Sequence, residues 1–203
     1  MRGYFGIGVE RIHKPFNVGN LFRSAHAFDA SFVFTVDAQY ERRKLHRVDT
    51  SDALGALPYY EFDSADDMML PRTCRLVGVE LTDDAIALPS FRHPIQAAYI
   101  LGPEAGSLSP GMQERCDFIV KIPSKFCLNV GIAGVLVMYD RLLSRGRFAD
   151  RPVRPGGPTE DLPEHVHGGP VFRSMDPFRQ QPPLAEVEEA ATAGAGKPPR
   201  RRA

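Results

Sequence analysis

Residues 3–37 read GYFGIGVERIHKPFNVGNLFRSAHAFDASFVFTVD, and the order of patterns within them decides the fold. Gly3–Arg11 predict a strand. From Asn17 to Asp29 the apolar residues Val18, Leu21, Phe22, Ala25 and Phe28 recur at helical spacing, which predicts a helix with one clean buried face. Ser31–Asp37 predict a second strand. Strand, helix, strand in that order is the unit from which a parallel sheet is built. Outward from it the alternation continues. PYYEF (58–62) suits a short third strand, and SADDMML (64–70) a helix capped by Ser64 with Asp67 three residues on. CRLVGVEL (74–81), AAYILG (97–102) and DFIVKIP (117–123) read as further strands, and a last helix runs from Asn129 to Ser144. The strands are β-branched-rich with little alternation, as expected when both faces are covered. The expected fold class is α/β, a mostly parallel sheet with helices on both faces.

The periodic patterns stop near Phe148. Ten of the 18 prolines lie beyond it, and the short helix-like piece Leu184–Ala191 is the one exception to a polar, aperiodic tail. We therefore expect a folded domain at 1–147 and a Pro/Gly-rich flexible tail at 148–203, too poor in apolar residues to offset its ordering entropy. The closing Arg200–Arg202 read as a solvated end or as a phosphate contact.

A hydrophobic fraction of 43% supports a real core, and a formal net charge of zero gives no global field for nucleic acid, which leaves room for a local patch. The patch on offer is YERRKLHRVDT (40–50), with Arg42, Arg43, Lys44, His46 and Arg47 close together; RNA contact and a solvated loop are both open readings. Cys74, Cys116 and Cys127 form no CxxC pair, so a disulfide framework is not expected and a reducing compartment fits better. The first ten residues have no leader pattern, and the apolar run in Val130–Tyr139 is shorter than the about 20 residues a bilayer needs. The expectation is a soluble, cytoplasmic protein without a membrane or metal partner. The six histidines show no ligand spacing, and His165 and His167 fall in the tail.

Ligands of open α/β sheets collect beyond the carboxyl ends of the strands, and three polar clusters fall there. In the first, Asn17 stands where an N-cap belongs, with Asn20 and Arg23 at successive steps of three. Gly19 clears space beside them, and an arginine near a helix N-terminus suits an anion held in a fork. The second is Leu101–Leu108 (LGPEAGSL), where Gly102 and Gly106 flank Glu104. The third, Lys121–Gly131 (KIPSKFCLNVG), leads into the last helix with Asn129 at its cap. Gly131, Ala133 and Gly134 allow close approach, either inside the fold or across a dimer. No GxGxxG or GxxxxGK[ST] pattern supports a nucleotide-binding alternative.

Taken together, the three clusters resemble the motifs of the SpoU/TrmH RNA methyltransferases of the SPOUT superfamily. The first is N-x-G-x-x-x-R at Asn17, Gly19 and Arg23. The second is G-x-E with glycine and leucine at Gly102, Glu104, Gly106 and Leu108. The third is I-P with a loop ending L-N-V at Ile122, Pro123, Leu128, Asn129 and Val130. The likeness covers about residues 3–145. It departs from the pattern at Cys127 and Gly131, where serine is usual, and in the shifted order E-A-G-S-L. The resemblance implies a C-terminal trefoil knot and a homodimer with the last helix at the interface. It also implies S-adenosylmethionine bound by the knot loops through Leu101, Gly102, Pro103, Glu104, Gly106, Ile122, Pro123, Cys127, Leu128 and Asn129. The implied reaction methylates a ribose 2′-hydroxyl of tRNA or rRNA. Arg23 would be the catalytic arginine, with Asn17, Glu104 and Asn129 in support, and RNA would be gripped by Arg23, Arg42, Arg43, Lys44 and Arg47. A non-catalytic RNA-binding module on the same fold is the alternative.

Overall fold

The computed structural model describes residues 3–39, 53–149, 151 and 155–157, the side chains of Ala53 and Leu54 excepted. The basic loop with Arg42, Arg43, Lys44, His46 and Arg47 lies outside the described residues, as do His165, His167, Leu184–Ala191 and Arg200–Arg202. The chain divides into one compact unit at Met1–Gly146 and a second at Arg147–Ala203. The described strands and helices all lie in the first.

Seven strands form one sheet. They are β1 (Tyr4–Glu10), β2 (Phe32–Val36), β3 (Tyr59–Phe62), β4 (Arg75–Val79), β5 (Ile86–Ala87), β6 (Gln96–Leu101) and β7 (Phe118–Lys121). Their order is β3-β2-β1-β6-β4-β7-β5 and every pairing is parallel. The helices are α1 (Pro15–Ala27), α2 (Ala53–Ala56), α3 (Pro110–Arg115) and α4 (Val130–Arg145).

On one face, Phe5, Ile7 and Val9 of β1 and Tyr99 of β6 meet Val18, Leu21, Phe22 and Ala25 of α1 and Val130, Val137 and Met138 of α4. On the other, Phe34, Leu76, Ala98 and Ile100 pack against Met112 of α3 and Met68. Two covered faces explain why β1 and β2 are almost wholly buried and carry no polar alternation. The helices α1 and α4 approach closely at Gly134, where an added Cβ would lie 2.2 Å from Leu21 Cδ1. Gly134 of the last helix is thus used inside the fold.

Three local expectations are corrected. Helix α1 begins at Pro15, with Lys14 in the capping position and no side-chain cap of its own; Asn17 is already inside the first turn. Proline at N1 is the natural start. Around Ser64 one hydrogen bond of a capping box forms, Asp67 N–H to Ser64 Oγ at 3.2 Å, and the Ser64 hydroxyl donates to Asp67 Oδ2 at 2.6 Å, yet the chain makes a turn and no helix. Pro71 follows too soon for helical bonds to propagate beyond that nucleus. Helix α3 is absent from the sequence-based expectation, although Ser109 accepts from Met112 N–H and Pro110 sits at N1.

Register sets the site. Val9 pairs with Leu101, Leu101 with Val79 and Val79 with Val120. The residues that come next in each strand, Glu10, Gly102, Glu80 and Lys121, therefore stand abreast along one carboxyl edge.

Candidate functional site

A cleft open to solvent lies along that edge. Its floor comes from the ends of two adjacent strands, Val79–Leu81 after β4 and Leu101–Pro103 after β6. Gly106 continues the wall with φ +115°, a conformation that glycine adopts without crowding. The far wall is Ile122, Ser124, Cys127 and Leu128 from the β7–α4 loop, with Val130 and Ala133 from the first turns of α4. Seven of the residues expected to bind a cofactor line it: Leu101, Gly102, Pro103, Gly106, Ile122, Cys127 and Leu128. Glu104, Pro123 and Asn129 do not. Cys127 is the exposed member of three free cysteines; burial pushes the Cys116 thiol up to about 12.

Glu104 and Asn129 stand behind the wall, joined through Asn17. Asn129 Nδ2 donates to Asn17 Oδ1 at 3.1 Å, and Asn17 Nδ2 donates to Glu104 Oε1 at 2.9 Å. The sense of both amides is fixed by the ends of the chain. At one end is a carboxylate, which only accepts; at the other Asn129 Oδ1 accepts the Gly131 and Ile132 N–H groups at 2.9 and 3.4 Å. Glu104 also accepts the N–H groups of His13 at 3.3 Å and Lys14 at 3.2 Å. It is the cap that α1 lacks locally, supplied from about 90 residues along the chain. Helix α1 thus starts against the carboxylate, and α4 is joined to it through Asn129 and Asn17. Burial alone would raise the Glu104 pKa; the hydrogen bonds from Asn17, from the loop backbone and from His13 and Lys14 outweigh it and hold the carboxyl below its ordinary value.

The three sequence clusters therefore meet, in an arrangement that their spacing does not reveal. Asn17 is 7% exposed and turned inward. Asn20 and Arg23 are exposed, and Arg23 is the ninth residue of the 13-residue α1, well past the helix start. Three further charged residues hold the β6–α3 loop and escape sequence reasoning. Buried Glu10 accepts Ser109 N–H at 2.7 Å and Ser109 Oγ–H at 2.5 Å. Glu80 accepts Leu108 N–H at 2.8 Å, and Arg11 Nη2 donates to the Ser107 carbonyl at 2.7 Å. Their position as charges at or just past strand ends is the available signal. Among the described residues no group of three or more His, Cys, Asp or Glu is placed to hold a metal, and no helix is long and apolar enough to cross a membrane.

Residues 5–139 match the model of the SpoU rRNA Methylase family. Comparison with curated protein sequences gives no match. Among solved structures the chain is similar to the SpoU methyltransferase AviRb of Streptomyces viridochromogenes in complex with AdoMet, with a TM-score of 0.62 and 23% identity over 71% of this chain and 59% of that one. It is also similar to the A. aeolicus TrmH/SpoU tRNA modifying enzyme, with a TM-score of 0.62 and 17% identity over 70% of this chain and 75% of that one. A third likeness is to a structure described as giving insight into 2-OH methylation of C/U34 on tRNA, with a TM-score of 0.63 and 21% identity over 71% and 99% of the two chains. At these identities the likenesses show the fold. The chain spans about three fifths of the length of AviRb.

Proposed function

Because this chain belongs to the SpoU rRNA methylase family, we propose that it is an RNA methyltransferase that methylates a ribose 2′-hydroxyl of tRNA or rRNA with S-adenosylmethionine as donor. The observation that carries the reading is the hydrogen-bond chain from Asn129 through Asn17 to Glu104, which draws the three motifs together behind one cleft. Support for the donor comes from the chemistry of that cleft. Gly102 and Gly106 leave main chain bare for hydrogen bonds, while Leu101, Ile122, Leu128 and Val130 offer apolar walls to a purine ring. Pro123 belongs to the same loop, and the trefoil threading of these loops is part of the proposal.

S-adenosylmethionine supplies a methyl group already activated on a sulfonium. The protein's task is to bring the 2′-oxygen into line and let its proton leave, and positioning supplies much of the acceleration. Arg23 is the residue for this. Its guanidinium is a fork of hydrogen-bond donors, so it orients the ribose oxygen and its neighbouring phosphate. Asn17, Glu104 and Asn129 act behind it, setting the start of the helix that carries Arg23 against the loop that receives the donor. Arg42, Arg43, Lys44 and Arg47 provide phosphate contacts. A 2′-hydroxyl target also separates RNA from DNA.

The functional unit is a homodimer. Ile132, Leu136 and Tyr139 are 56, 38 and 48% exposed and lie on one stripe of α4, facing away from the Gly134 side that meets α1. We expect Leu136→Glu to give monomers in sedimentation and to lose activity. The reaction itself is tested with labelled S-adenosylmethionine and RNA from cells lacking the gene. An Arg23-dependent 2′-O-methylnucleoside supports the proposal. RNA binding without donor binding would overturn it in favour of a non-catalytic RNA-binding module, and Cys127→Ser would be the first reversion to make.

A further inference from the structure

The end of β1 carries a feature that its pairing does not require. Arg11 has φ +50°, a left-handed conformation that crowds an ordinary side chain. The other non-glycine residues of this kind among those described, Asp29 and Asp37, have the short polar side chains that tolerate it. The ladder runs on regardless, since Arg11 N–H donates to the Val36 carbonyl at 2.8 Å.

What accompanies the turn is a long reach. The Arg11 side chain meets the β6–α3 loop, where Nη2 donates to the Ser107 carbonyl, while Nε is buried with no partner. A crowded backbone and an orphaned N–H both oppose folding. They persist where the loop turns from Gly106, on the cleft wall, into Ser107. Beside Arg11, Glu10 grips Ser109, the cap of α3. The last residue of β1 and the one after it therefore clasp the loop at Ser107 and Ser109.

We propose that Arg11 is a positioning residue that, through the Ser107 carbonyl, holds Gly102–Gly106 in the shape that receives the methyl donor. The inference rests on the S-adenosylmethionine reading of the cleft. In this role Arg11 acts on affinity for the donor, not on the reacting atoms.

The test compares the full chain with Arg11→Gly, which removes the tether and relieves the backbone, and Arg11→Lys, which retains one charged donor. Without any ligand, amide exchange at Ser107 and Leu108 should quicken about tenfold in Arg11→Gly, as expected for one lost hydrogen bond. Its thermal midpoint should not fall. By titration calorimetry, S-adenosylmethionine should bind about tenfold more weakly, with Arg11→Lys in between. The kcat at saturating donor should stay within about twofold. Unchanged exchange or unchanged donor affinity overturns the inference. A fall in kcat with affinity intact also overturns it, because Arg11 would then touch RNA or the reacting atoms. Absence of donor binding by the unaltered protein overturns the proposed function instead, and the exchange rates still decide whether Arg11 holds the loop.

Discussion

The two ends of α4 are tied into the fold by chains of hydrogen bonds that both run one way onto a carboxylate. At the N-terminal end the chain passes from Asn129 through Asn17 to Glu104. At the other end, Arg141 Nη1 donates to Tyr99 Oη at 3.2 Å, Tyr99 Oη lies 2.5 Å from His93 Nδ1, and His93 Nε2 lies 2.9 Å from Asp140 Oδ2. Burial pushes the Tyr99 hydroxyl up to about 12, so it stays a donor. Burial also lowers the His93 pKa against the opposing pull of Asp140, so the ring is neutral with its proton on Nε2. The difference lies in where each chain ends. The second runs through the buried Arg141, Tyr99 and His93 and returns to a half-buried Asp140 on α4 itself. The first ends on a loop beside an open cleft. A closed network locks a helix in place, whereas one that ends on a loop joins two separate parts of a site.

Four measurements would break or sharpen that contrast. The largest effect is expected from Arg23→Ala at the open end. Methyl transfer should fall about a thousandfold or more, while urea denaturation shifts by less than about 0.5 kcal/mol, as for an exposed position. A large loss of stability would place Arg23 in the scaffold. Arg141→Met is the converse. Arg141 is 1% exposed and also donates to the carbonyls of Pro94, Tyr4 and Ile95. Leaving these acceptors unpaired should cost about 3 kcal/mol or more in urea unfolding. Donor affinity measured under folding conditions should be unchanged.

Glu104→Gln should lie between the two, costing about 1 kcal/mol as the lost cap of α1 and weakening donor binding about tenfold through its loop. A pure stability loss would make the open end structural as well. The smallest effect is in pH. The folded His93 pKa lies below its ordinary 6.5, so the unfolded chain takes up the proton first. That contribution to stability is full above pH 6.5 and is lost as pH falls below it. The Glu104 pKa is likewise lowered from 4.5, so its contribution is present above 4.5 and is lost as pH falls through the folded value. Urea midpoints between pH 7 and 5 should therefore decline in the unaltered protein and flatten in His93→Gln, leaving Glu104 to the acid range.

The same contrast explains what is legible in the sequence. The strands, α1 and α4 are readable because burial on both faces writes itself as apolar runs and helical spacing. Asn129 is recognisable as a cap because both its partners lie within three residues. Asn17 only resembles a cap, because the true cap, Glu104, is remote in sequence, and propensity carries no information about such partners. Glu10, Arg11 and Glu80 escape notice for the same reason: each acts on a loop 28 to 99 residues away. The closed network around Arg141 leaves no motif at all, since its acceptors are mostly main-chain carbonyls that any residue provides. Ser64 shows the reverse case, a local signal that is present and overruled by Pro71.

The strand order has a consequence for synthesis. β1 is made first among the strands and lies third of the seven in the sheet, yet its second neighbour, β6, begins only at Gln96. At translation rates of about 5–20 residues per second, one edge of β1 waits on the order of 3 to 12 s after β2 has covered the other. An apolar strand with a bare edge is a template for mispairing. The nascent chain is therefore most dependent on chaperones between the emergence of β2 and that of β6, and Asn17 meets Asn129 later still.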